Sequence, residues 1–302
     1  MPITRVVTLG TQGGPLATGR RSQPANAVVV GDRVYLVDAG NGVLRQLVAA
    51  KLDYRWIDHV FIAHNHSDHN ADWGTLIGLQ WTTGRSTPVT VHGPTGTRDM
   101  LQGYLAYMAP HAQLWSAAMP SRPPPKALFA GHDIDNDGLV FEDDRVKVTA
   151  AAACHFHFAS RSFPAEKVPK SFAYRFQTHD KVIVFSGDTG PCSALIDFAQ
   201  GADLLVHEVV SLPLIAESLR KVLASRPGGA DPALFDNLMH HMAEDHTSPE
   251  EVGKLAQAAG VKKVVLTHFT PGADADPEGA YVDGVRKHFS GPVVAAEDLA
   301  EF

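Results

Sequence analysis

The chain has 302 residues, 44% of them hydrophobic and 20% charged. That is enough apolar material to bury about three quarters of the surface an unfolded chain exposes, which excludes a mostly disordered protein. Lys and Arg number 26 against 33 Asp and Glu, a net charge of −7, so no chain-wide attraction to phosphate backbones is expected and nucleic acid is disfavoured as a partner.

The β-branched runs 3–9 (ITRVVTL), 27–30 and 33–37 predict strands, the last two joined by a Gly31-Asp32 hairpin turn. A helix over 43–52 follows, then strands at 59–63 and 89–92. Residues 109–130 carry Pro110, Pro120, Pro123, Pro124 and Pro125 and predict an irregular segment. The surrounding stretch at about 104–125 reads as an inserted loop or short helical flap on a single domain spanning 1–302. Strands at 145–152, 171–178, 181–185, 203–207 and 261–267 complete the set. Ser248-Pro249-Glu250-Glu251 is a capping box that starts a helix running to Ala259 and stopping at Gly260.

Two cysteines, Cys154 and Cys192, are too few for a disulfide framework. No stretch reaches the roughly 18 uninterrupted apolar residues of a membrane span. A cytoplasmic setting without a membrane partner is therefore expected. The acidic stretch from Asp133 to Asp144 resembles a calcium loop, but a proline-rich segment precedes it and a strand follows, so it reads as a polar turn. The glycine-rich segment 10–19 lacks the Gly-Lys-Ser/Thr of a phosphate loop and reads as backbone approaching a cleft.

Histidine is the compositional anomaly, with sixteen copies. Directly after the apolar strand at 59–63 comes His64-Asn65-His66-Ser67-Asp68-His69. Three imidazoles and a carboxylate within six residues suit a borderline metal ion, for which these are preferred donors. His155, Asp188, His268 and Asp38 each follow a different predicted strand. Ligands at the same ends of several strands converge on one cleft.

These residues carry a resemblance. The signature at 64–69 stands in order with Thr8-Leu9-Gly10, 35–40 (YLVDAG), 171–176 (SFAYRF), 186–190 (SGDTG), His207-Glu208, His246-Thr247-Ser248 and 266–269 (LTHF). The set resembles the metallo-β-lactamase superfamily, in its ribonuclease Z and arylsulfatase-like branch. The resemblance implies an α/β fold, a four-layer αββα sandwich, with two divalent metal ions, zinc first and manganese or iron as alternatives. It assigns His64, His66 and His155 to one ion, Asp68, His69 and His268 to the other, and Asp188 to both, with Asp38 orienting the site. His157 stays open as an alternative to His155. Cys154 is expected on the other side of the strand as a small buried hydrophobe. Asp68 is expected to shuttle a proton and His246 to act as general acid, oriented by Glu208. His207, His240 and His241 read as structural or exposed.

A metal-bridging hydroxide makes hydrolysis the expected reaction. Only Phe176 to Gly187 separate Arg175 from Asp188, which leaves no room for the long tRNA-gripping arm that ribonuclease Z commonly carries there. The expectation is therefore hydrolysis of a small-molecule ester, lactone or phosphodiester, with Tyr104, Tyr107, Met108, Trp115 and Met119 roofing the cleft. A ribonuclease Z-like phosphodiesterase is the alternative. A non-haem iron oxidoreductase is less favoured, because its carboxylate in the first ligand cluster and its flavin domain are not evident. A homodimer is the commonest assembly to expect.

Overall fold

A computed structural model describes residues 3–225, 231–270 and 278–302. The first half of the chain forms β1 (Thr4–Gly10), β2 (Ala25–Val30), β3 (Arg33–Val37), α1 (Val43–Ala49), β4 (His59–Phe61), α2 (Ser67–Asn70), α3 (Trp73–Thr82), β5 (Val89–Pro94), α4 (Thr97–Ala118), α5 (Pro125–Leu128) and β6 (Phe129–Ile134). The second half forms β7 (Gly138–Glu142), β8 (Lys147–Ala153), α6 (His157–Ser160), β9 (Ser171–Gln177), β10 (Val182–Phe185), α7 (Ala194–Phe198) and β11 (Leu204–Val210). It ends with α8 (Leu212–Ala224), α9 (Pro232–Glu244), α10 (Pro249–Ala259), β12 (Val264–Thr270), α11 (Glu278–Arg286), β13 (Val293–Ala295) and β14 (Ala300–Glu301).

Two seven-stranded sheets result, in the orders β14-β1-β2-β3-β4-β5-β6 and β13-β12-β11-β10-β9-β8-β7. In each, antiparallel strands lead into a parallel run: β3 to β6 in the first and β10 to β13 in the second. Side chains alternate across the pleat. Val28 and Phe61 of the first sheet meet Tyr174, Phe176 and Val206 of the second in a shared interior. Val29 and Val60 face outward onto Leu47 of α1, Trp81 of α3 and Met108 of α4. On the far side, Leu205 and Val264 pack under Val252 and Leu255 of α10 and Val285 of α11. Three apolar interfaces separate four layers, so the expected αββα sandwich is the observed one. The capping box behaves as expected too: Ser248 Oγ accepts from the Glu251 amide at 3.4 Å, and Gly260 closes α10 at φ 62°.

Three local expectations need correction. Residues 109–130 are irregular only over 119–124, because α4 continues through Pro110 to Ala118 and α5 and the start of β6 follow. Pro110 removes one helical hydrogen bond, but Leu101 and Met108 are buried on one face with Ala112 and Trp115 packed beside them, which holds the helix on the sheet. The roofing role fails for Met108 and Trp115, whereas Tyr104 and Tyr107 line a cavity beside Asn70 and Ala71. The Tyr104 ring covers Gly74 and Gly78 of α3, where an added Cβ would meet it at 2.4 Å, and Met108 and Trp115 belong to the outer apolar layer.

The third correction concerns the cysteines: Cys154 and Cys192 form a disulfide, with Cα atoms 5.6 Å apart. The two strands before them, β8 and β10, flank β9, which brings positions 38 residues apart in sequence side by side. Among the described residues no helix is long and apolar enough to cross a membrane.

Candidate metal centre

The candidate residues leave their strands at one edge of the sandwich. His64 follows β4, and His66 is extended at φ −65° and ψ 145° before the short helix α2 begins. That change of conformation aims His64 and His66 one way and Asp68 and His69 another. His268 lies inside β12 at a bulge: Glu208 pairs with Thr267 and Val209 pairs with Phe269, leaving His268 as the extra residue at φ 51°. Bulges beside functional sites re-aim a side chain, and here the imidazole turns into the cleft.

The sequence-predicted ligands come together in two groups. His64 Nε2 and His155 Nε2 lie 2.9 and 3.3 Å from His66 Nδ1, and 3.7 and 3.9 Å from Asp188 Oδ2. Asp68 Oδ2 lies 3.7 Å from His69 Nε2 and 3.5 Å from His268 Nε2. Asp188 reaches this second group as well, with Oδ1 at 3.3 Å from His69 Nε2 and Oδ2 at 3.1 Å from His268 Nε2. His155 is fully buried, whereas the His157 side chain is half exposed and outside both groups.

The far nitrogens are held by neighbours. His155 Nδ1 is 2.8 Å from the Asp245 carbonyl, to which it donates, and His69 Nδ1 donates to Asp38 Oδ2 at 2.9 Å. Each bond fixes the tautomer that leaves Nε2 with a free lone pair. Asp38, at φ 60°, also accepts the Ala63 amide at 2.8 Å, which pins the strand end that precedes His64.

The donor set fits divalent cations. His69 Nε2, Asp188 Oδ1 and His268 Nε2 are buried without a hydrogen-bond partner, a costly arrangement unless a cation satisfies the lone pairs. The electrostatics agree. Burial holds the imidazoles of His64 and His155 down, His155 at about 3. Burial opposes the charged forms of His69 and His268 as well, yet Asp188 and its neighbouring carboxylates overcome it and carry His268 up to about 10. For Asp188 burial likewise works upward, and His268 and His69 outweigh it, holding the carboxyl well below its usual range. These buried carboxylates demand positive charge.

Beside the two groups lies a carboxylate–imidazole pair. His246 Nδ1 is 3.2 Å from Glu208 Oε2, while Glu208 Oε1 accepts the amides of Thr189 and Thr247 at 3.3 and 3.0 Å. Burial lowers the imidazole of His246 and Glu208 more than compensates, so the ring holds its proton above the ordinary range. The glycine segment approaches as expected: a Cβ on Gly13 would meet His268 Nδ1 at 2.5 Å, and the Gly14 amide donates to Asp68 Oδ2 at 3.0 Å. His207 is buried with Nδ1 bonded to the Glu208 carbonyl, a packing role.

Sequence reasoning missed Asp245. Its buried carboxylate accepts the amides of His157 and Phe158 and lies 2.8 Å from His241 Nδ1, so it fastens α6 and α9 to the rim of the cleft. Its place next to His246 was the available signal.

Residues 33–269 match the family described as the beta-lactamase superfamily domain. A ribonuclease Z of Mycolicibacterium paratuberculosis is 28% identical over 305 residues, covering 97% of this chain and 96% of its own. A ribonuclease Z of a Mycobacterium species (strain KMS) is 30% identical over 279 residues, covering 90% and 87%. Among solved structures, the short form of human tRNase Z superposes with a TM-score of 0.65 at 21% identity, covering 99% of this chain and 98% of that one. These relatives overturn the expectation of a small organic substrate with nucleic acid disfavoured. Net charge is a sum over the whole surface and says nothing of the field at a cleft mouth, where bound cations are the largest local charges.

Proposed function

The chain belongs to the metallo-β-lactamase superfamily, in its ribonuclease Z branch, a family of metal-dependent hydrolases, and from that premise we propose that it is a zinc-dependent phosphodiesterase acting on RNA. The observation that carries the reading is the position of Asp188, within 3.9 Å of ligand atoms in both groups, beside the Glu208–His246 pair. Imidazole and carboxylate donors of this kind suit zinc. His64, His66 and His155 would hold one ion and Asp68, His69 and His268 the other, with Asp188 shared. When bound, two such cations supply Lewis acidity at a phosphoryl oxygen and lower the pKa of water toward ~7.

The chain's own residues do the rest. Asp68, fixed by the Gly14 amide, accepts a proton from the attacking water. His246 hands its proton to the departing ribose oxygen, and Glu208 keeps that ring oriented and protonated until transfer. The ends of the two sheets hold donor and acceptor in place throughout, so little reorganisation accompanies the step. The RNA substrate is supported by the ribonuclease Z relatives, whose similarity extends over nearly the whole chain.

The test is direct. Zinc-loaded protein is incubated with a precursor tRNA bearing a 3′ trailer and with a chromogenic phosphodiester. Cleavage of both, lost in Asp188→Ala, is the expected outcome. Cleavage of the chromogenic ester with an untouched precursor would remove the RNA assignment.

A further inference from the structure

The Cys154–Cys192 disulfide takes no part in the chemistry above, yet it joins two of its ligand loops. Cys154 immediately precedes His155, and Cys192 follows Asp188 by four residues. The same loops are otherwise held together by the Gly190 amide donating to the Cys154 carbonyl at 2.8 Å and the Cys154 amide donating to Thr189 Oγ1 at 3.0 Å. Cys192 is buried, while Cys154 is only partly buried, so a small thiol has a way in. We propose that this pair is a redox latch on the metal centre: closed, it holds His155 and Asp188 in register for one cation, and open, it lets that cation go more readily.

The inference rests on the metal-centre reading and follows from connectivity. His155 Nε2 and Asp188 Oδ2 lie 3.9 Å apart and come from different loops, so a cation between them needs both loops fixed. A single peptide bond joins Cys154 to His155, which leaves little slack to absorb a change at Cys154. Asp68, His69 and His268 stand on segments that the cystine does not touch. Opening therefore acts first on the ion held by His64, His66 and His155. Closure is thiol–disulfide exchange. A Cys154 thiolate attacks glutathione disulfide and expels one glutathione thiolate. Cys192 then displaces the second, so two protein thiols become one disulfide and one glutathione disulfide becomes two thiols.

The experiment measures zinc affinity at each site by competition with a chromophoric chelator, alongside a count of reactive thiols. Full-length chain is compared after treatment with glutathione disulfide and after reduction with the reductant removed under nitrogen. Oxidised protein is expected to show no reactive thiol and reduced protein two. One of the two sites is expected to weaken by about tenfold on reduction, the scale on which supporting residues tune metal affinity, and to recover on reoxidation. The other site is expected to change less. Cys154→Ser/Cys192→Ser should hold the weakened value under either treatment, and if that variant does not fold, the reversible cycle on the native chain decides alone. Equal affinities in both redox states, or thiols that never close, overturn the latch while leaving the metal centre standing. Absence of zinc binding in either state overturns both.

Discussion

Glu208→Gln isolates the general acid from everything else in the cleft. Glutamine has the same shape, and its carbonyl can still accept the amides of Thr189 and Thr247 that Glu208 Oε1 now holds, so the loop geometry is expected to survive. What disappears is a negative charge 3.2 Å from His246 Nδ1, between side chains that are 2% and 6% exposed. Water screens little of that interaction. Without it, burial weighs more heavily on the ring and only Asp188 still favours its charged form, so His246, the proposed proton donor, holds its proton less well. A positioned general acid contributes about 10²–10⁴-fold, or about 3–5 kcal/mol of barrier. That loss should appear in kcat for a precursor RNA, whose ribose oxygen leaves poorly without a proton. It should shrink to less than about tenfold for a p-nitrophenyl phosphodiester, whose phenolate needs none. Zinc content and KM should stay near those of the parent. Equal losses on the two substrates would refute the assignment of His246 as proton donor, and unchanged turnover of RNA would refute the pair altogether.

How far the site was legible depends on whether its signal is local. The run from His64 to His69 announces itself because several donors share one loop, and Asp38, His155 and Asp188 because each follows a β-branched strand. Geometry that depends on distant partners is not written that way. The bulge that turns His268 into the cleft exists only because β12 pairs out of step with β11, and nothing in 261–267 signals a left-handed residue inside a strand. The edge strands β6 and β7 carry few fully buried residues, so their sequences, FAGHDI and GLVFE, lack the apolar run that marks a central strand. In α4 the sequence contains a real conflict, proline against an apolar face, and tertiary packing prevails over propensity. The cystine could not be read from two cysteines 38 positions apart in sequence. Substrate choice was misjudged for a related reason: net charge describes the whole chain and the missing arm a single segment, whereas recognition is decided at the cleft.

Three further perturbations follow from particular contacts. Asp38→Ala removes the acceptor of both His69 Nδ1 and the Ala63 amide, and zinc titration should show about 10–100-fold weaker binding at the site proposed for His69; unchanged affinity would assign Asp38 a purely structural role. Pro110→Ala restores a hydrogen-bond donor inside α4 at an exposed position, and urea unfolding should show a gain of up to about 3 kcal/mol; a loss would mean that Pro110 sets a bend the sheet requires. The last concerns acid. His59, His92 and His132 stand side by side on β4, β5 and β6, with His92 Nε2 3.2 Å from His59 Nδ1 and His92 Nδ1 3.0 Å from His132 Nδ1. Burial first, then the neighbouring imidazoles, push His92 down to about 3, while the unfolded chain takes up the same proton near ~6.5. Between these values the unfolded state binds more protons, so stability is complete above pH ~6.5 and drains away as pH falls toward 3, by as much as about 5 kcal/mol from this ring. His92→Phe keeps the stacking on Phe61, whose ring lies 4.8 Å away, and should flatten that acid limb in urea midpoints measured from pH 7 to pH 4; an unaltered slope would place the acid sensitivity elsewhere.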